Sequence, residues 1–141
     1  MTMGIRGRLG RRGEDLAAEA LARRGFRVLD RNWRCTAGEV DLVVSSGNDV
    51  YFVEVRTRRG SLDFIPELSI THRKAERMDQ VARAYMGSHT SSGEETWHVS
   101  FVAIAIGPNG KLERISFYPA LDAEPLDLLP PDQNLGRRRT S

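Results

Sequence analysis

Asp41 and Glu54 are the residues of this 141-residue chain whose types and spacing best suit chemistry. Each lies in a β-branched, apolar stretch: Gly38-Glu39-Val40-Asp41-Leu42-Val43-Val44, then Val50-Tyr51-Phe52-Val53-Glu54-Val55-Arg56. Between them, Gly47-Asn48 is a two-residue hairpin signal, which makes Ser46 face Asp49 and sets every pair further out. Val44 is then expected opposite Tyr51, Leu42 opposite Val53 and Val40 opposite Val55, on one apolar core face. The period of two sends Val43, Asp41 and Glu39 to the other face, against Phe52, Glu54 and Arg56. Asp41 is therefore expected directly across from Glu54.

Cross-strand partners have Cβ atoms about 4.5–5.5 Å apart, and like charges in that position destabilise the pair. Two compensations are open. A divalent cation takes carboxylate oxygens at about 2.0–2.6 Å, and a strand pair holds them rigidly. Alternatively Arg56, expected to face Glu39 and lie diagonal to Asp41, neutralises a surface ion-pair cluster.

The elements that must position these groups follow from periodicity. Gly4, Gly7, Gly10 and Gly13 recur among Arg6, Arg8, Arg11 and Arg12, which reads as a flexible basic arm over residues 1–12. From Gly13, the spacing of Leu16, Ala17, Ala20 and Leu21 predicts an amphipathic helix, closed by Arg23-Arg24-Gly25. Glu14 falls on the same stripe as Ala17 and Leu21, at the inward-facing start of that helix. It is either dipole-stabilised structure or a group aimed into a site. Phe26 to Trp33 reads as a first strand, and Arg58 to Leu68 as a loop.

A second helix is expected from Ser69 or Thr71 as N-cap to about Met86, with Ala75, Met78, Ala82 and Tyr85 as its apolar stripe. Its first turns carry Arg73, Lys74 and Arg77, where the helix dipole favours acids, so a bound anion would help there; a solvated basic face is the plainer reading. Trp97 to Ile106 suits a strand buried on both faces, and Leu112 to Tyr118 alternates as a strand. After Tyr118, four prolines, several acids and Arg137-Arg138-Arg139 predict a disordered tail over 119–141. The sum is an α/β domain over 13–118, a mixed five-stranded sheet flanked by helices.

Composition narrows the function. Cys35 is the single cysteine, which excludes an intrachain disulfide and a thiolate metal cage. No apolar run approaches the roughly 18 residues that cross a bilayer. The start, Met1-Thr2-Met3-Gly4-Ile5-Arg6, has no signal-like apolar stretch, so a cytoplasmic protein with no membrane partner is expected. His72, His89 and His98 share no metal-ligand spacing. The net charge of +2 conceals an asymmetry, with nine arginines up to Cys35 against four acids. That bias suits a polyanionic partner, because guanidinium binds phosphate bidentately.

Over roughly Gly7 to Tyr118 the chain resembles the uncharacterised bacterial YraN-type family, which is similar in turn to archaeal Holliday-junction resolvases and restriction-endonuclease-like nucleases. The stretches that carry the resemblance are Gly10-Arg11-Arg12-Gly13-Glu14, Gly25-Phe26, Arg31-Asn32-Trp33-Arg34, Gly38-Glu39-Val40-Asp41-Leu42, Phe52-Val53-Glu54-Val55-Arg56-Thr57-Arg58 and Arg73-Lys74. The resemblance implies a restriction-endonuclease-like fold and a magnesium site, with manganese as substitute, held by Asp41, Glu54 and Glu14. Arg56 stands where such nucleases carry a lysine. Arginine stays protonated and orients or stabilises charge, whereas lysine can assist an attacking water. His98-Val99-Ser100-Phe101 replaces the usual Arg-Phe-Asp strand, so one supporting acid is absent. The implied function is nuclease-like action on structured or branched DNA, with Arg73, Lys74 and Arg77 against the phosphate backbone and a two-fold homodimer suited to a symmetric junction. A non-catalytic nucleic-acid-binding module and a protein-interaction subunit docked through the tail are the alternatives.

Overall fold

Among the described residues, six strands form one open sheet in chain order, β1-β2-β3-β4-β5-β6, and every neighbouring pair is antiparallel except β3 with β4. The computed structural model describes residues 5–59, 70–89 and 93–129. Its elements are α1 (Ile5–Arg23), β1 (Arg27–Cys35), β2 (Gly38–Ser46), β3 (Asp49–Arg59), α2 (His72–Ser88), β4 (Thr96–Ile106), β5 (Leu112–Tyr118) and β6 (Leu126–Asp127). No helix among the described residues is long and apolar enough to cross a membrane.

Alternation along the strands divides the core between the two helices. Ala17, Ala20 and Leu21 of α1 pack with Leu42, Val44, Val53, Val102, Ile104 and Phe117. Val81, Ala82 and Tyr85 of α2 pack with Val40, Val43, Val50 and Phe52 on the other face. The parallel β3–β4 pairing requires a crossover, and α2 lies within it. Thr71 caps α2 as expected, its Oγ1 accepting the Lys74 N–H at 3.1 Å.

Three expectations are corrected. The hairpin holds its expected register from Ser46↔Asp49 to Leu42↔Val53 and pairs no further, so Asp41 and Glu54 are not ladder partners. Val40 leaves the face of Leu42 and joins Val43 and Trp33 beneath α2. The cause is the other neighbour of β2. Val40 pairs with Trp33 on β1, a strand distorted by a register shift between Val28 and Asp30 and by Asn32 at φ 52°, and such irregularities increase local twist.

The second correction concerns the end of the folded unit. The sheet has six strands rather than five, because the chain past Pro119 returns as β6 and buries Leu128 and Leu129 in the α1-side core. The Leu128 N–H donates to Ile115 O at 2.8 Å, and the buried Ser100 hydroxyl donates to Pro119 O at 2.7 Å. Burying two leucines outweighs the polar, proline-marked composition around them. The expected tail beyond Leu129 lies outside the described residues. Thirdly, α1 starts at Ile5, so most of the expected basic arm is helical. Glycine weakens a helix by about 1 kcal/mol per residue relative to alanine without forbidding it.

Candidate carboxylate site

Where β2 parts from β3, a backbone donor is left over. The Val55 N–H donates to Asp41 Oδ2 at 2.7 Å, so the side chain completes the pairing that the β2 backbone abandons. This ties Asp41 beside Glu54 without the direct cross-strand arrangement expected from alternation. Glu54 is largely buried, with 14% of its side chain exposed, and its Oε2 lies 3.2 Å from Lys74 Nζ and 3.4 Å from Arg56 Nε. The N-cap at Thr71 fixes the first turn of α2, and Lys74 projects from that turn onto the glutamate.

Both of these cations sit at Glu54, whereas the charges that shift Asp41 are all negative. Burial first, then the charges of Glu54, Glu14 and Glu39, push the Asp41 carboxyl up to about 7, against the opposing pull of the Val55 N–H. Glu14, from α1, thus contributes to the same field as the two strand carboxylates. Glu39 is engaged elsewhere, accepting from Arg34 Nε at 2.9 Å across the β1–β2 pair, so the expected Arg56–Glu39 cluster gives way to an Arg56–Glu54 contact.

The basic residues of α2 divide. Lys74 belongs to the carboxylate site. Arg73 is exposed in the first turn of the helix. Arg77 is also exposed, yet its methylenes cover Gly38, where an added Cβ would stand 3.4 Å from Arg77 Cδ. Sequence reasoning placed Lys74 on the phosphate-binding face, and no local signal reveals its contact with Glu54, since that depends on how α2 docks.

A hard divalent cation suits this donor set, which is all oxygen. Among the described residues no three His, Cys, Asp or Glu side chains form a ready cage. Magnesium is commonly held by one or two carboxylates with waters and substrate phosphates completing its shell, and carboxylate oxygens are the donor type that Asp41 and Glu54 supply. On β4, His98 Nε2 lies 2.9 Å from Asp49 Oδ1 and its ring stacks on Tyr51, while the Ser100 hydroxyl is taken up by Pro119 O.

The family model described as "Uncharacterised protein family UPF0102" matches residues 13–106, a span that contains every group of this site. A UPF0102 protein of Roseiflexus castenholzii is 43% identical over 116 residues, covering 82% of this chain and 94% of the relative. A second, from Streptomyces griseus, is 38% identical over 108 residues, covering 77% of this chain and 91% of its own length.

Proposed function

The chain belongs to the uncharacterised family UPF0102, and we propose that it is a nucleic-acid-binding, nuclease-like protein with a magnesium-dependent phosphodiesterase site at Asp41 and Glu54. The observation that carries the reading is the half-formed character of the site: a tethered aspartate crowded by like charge, beside a glutamate that already gathers cations. We read the antiparallel β1–β2–β3 unit and the parallel β3–β4 step as a restriction-endonuclease-like arrangement, consistent with the resemblance to Holliday-junction resolvases.

Magnesium, when bound, would activate a water and neutralise charge developing on the phosphate. Asp41, held through one oxygen by the Val55 N–H, would orient toward it. Glu54 would be the second ligand, and Glu14 would add charge from α1. Lys74, one-third exposed, can turn from Glu54 toward a phosphate oxygen, which supplies near the site the amine that position 56 lacks. Arg73 and Arg77 would hold the backbone without reading bases.

Melting in magnesium, manganese and chelator tests the reading. A cation bound only by the native cluster raises stability by mass action, about 2.7 kcal/mol at a hundred times its dissociation constant. Asp41→Asn should abolish the rise, and identical melting of the wild type with metal and with chelator removes the reading's support. One observation favours the non-catalytic binding module: Glu54 is already neutralised by Lys74 and Arg56. Metal-independent DNA binding by Glu54→Gln, with no cleavage of branched DNA by the wild type, would select it.

A further inference from the structure

We infer that Gly13 is a positioning residue of the carboxylate site: lacking a side chain, it lets α1 seat directly on Thr57 of β3 and so carries Glu14 toward Asp41. A Cβ added at Gly13 would overlap the Thr57 hydroxyl and stand 3.4 Å from Thr57 Cβ and 3.7 Å from Ile104 Cδ1. Thr57 has little freedom to yield. It is β-branched and therefore stiff at χ1, and its backbone is paired with Ile104 in the parallel β3–β4 ladder.

The Thr57 hydroxyl oxygen is buried and has no hydrogen-bond partner among the described residues, so it faces the bare glycine backbone instead of a conventional donor. Glycine is a poor choice for a helix interior, and Gly13 lies well inside α1. Propensity does not explain it, whereas close approach does. Glu14 is the next residue, so the separation of α1 from β3 at Gly13 sets how near its carboxylate comes to the site. Glu14 acts on the site through its charge, and in a partly buried site that influence falls as the separation grows, which makes an outward shift of the helix costly.

The inference rests on the functional reading above for its metal readout, and the full-length chain serves throughout. In chelator, Gly13→Ala is expected to lower the melting temperature in the wild-type background and raise it in a Thr57→Ala background. Removing the hydroxyl vacates the place of the new methyl and leaves only alanine's better helix propensity. The same sign in both backgrounds overturns the contact.

Manganese affinity, measured below the melting range, is expected to fall roughly 10-fold or more in Gly13→Ala, as for other supporting residues of metal sites. It should recover in Gly13→Ala/Thr57→Ala and stay low in Gly13→Ala/Thr57→Val, whose methyl refills the space. Ile115→Val, a core trim on β5, controls for lost stability and should leave affinity unmoved. An affinity unmoved by Gly13→Ala overturns the positioning role while leaving the functional reading intact. A wild type that takes up no manganese overturns that reading and the positioning role together, and the melting cycle still decides the contact.

Discussion

Asp30 and Asp41 sit on neighbouring strands and keep opposite company. Asp30 accepts the Tyr85 hydroxyl at 2.8 Å and lies 3.8 Å from His89 Nε2. Tyr85 stacks on His89 with ring centroids 3.8 Å apart, and Trp33 packs edge-on against both rings. Burial, and then Asp30 as hydrogen-bond partner and charge, raise the Tyr85 phenol above its ordinary range, which keeps it a donor. Asp41 accepts from the Val55 N–H and feels the like charges of Glu54, Glu14 and Glu39. An aspartate given donors is a structural tie. One surrounded by like charge holds free energy that a proton or a cation releases.

The comparison breaks first at Asp41. Its folded carboxyl titrates at about 7 against an ordinary 3.8, so between those values the folded state holds a proton that the unfolded chain releases. The contribution of Asp41 to stability therefore declines as pH rises from about 4 to about 7 and is level above. At about 1.4 kcal/mol per unit, the penalty at pH 8 without metal has a ceiling of about 4 kcal/mol. Asp41→Asn still accepts the Val55 N–H and carries no charge. It should be more stable than wild type at pH 8 by up to that amount and indistinguishable near pH 4, measured by urea unfolding in chelator. An equal difference at both pH values would show that the carboxylate crowding is not felt.

Tyr85→Phe tests the other aspartate. Loss of a donor to a carboxylate costs roughly 1.5–3 kcal/mol, and the loss should be the same with or without magnesium, since the tie belongs to the α2–β1 packing. A Tyr85→Phe variant whose magnesium response also disappeared would merge the two regions into one unit. On the nucleic-acid side, Arg73→Ala/Arg77→Ala should flatten the dependence of DNA affinity on log salt by about 0.9 for each phosphate that the variant no longer neutralises. An unchanged slope in a filter-binding series would move the binding face toward the arginine-rich α1.

The smallest effect is expected at Arg56. Arg56→Lys keeps a cation beside Glu54, and the pair is partly exposed on the arginine side, so the stability change should stay within about 1 kcal/mol. Because Lys74 already places an amine 3.2 Å from Glu54, the substitution should alter cleavage of branched DNA little. A large gain in cleavage would show that position 56, and not α2, governs the site.

What local chemistry dictates was legible in the residues themselves. The Thr71 cap, the hairpin register out to Leu42↔Val53, the Leu112–Tyr118 strand and the pairing of apolar stripes with helices depend on neighbours a few positions apart. Asp41 and Glu54 were also legible as neighbouring carboxylates, whereas the residues alone left Glu14 open between a structural role and this site, and its charge is felt at Asp41. Their geometry was not. Val40 changes face because β2 follows β1 as well as β3, and that departure converts the Asp41–Glu54 pair into an Asp41–Val55 backbone contact. Lys74 reaches Glu54 from α2, Arg34 takes Glu39, and Leu128 returns to the core, each through a contact decided by how whole elements dock. Residue type and period set which side chains are available. Only tertiary packing, which balances β2 between two partners and lays α1 and α2 against opposite faces, decides which charges are neutralised and which stand exposed to one another.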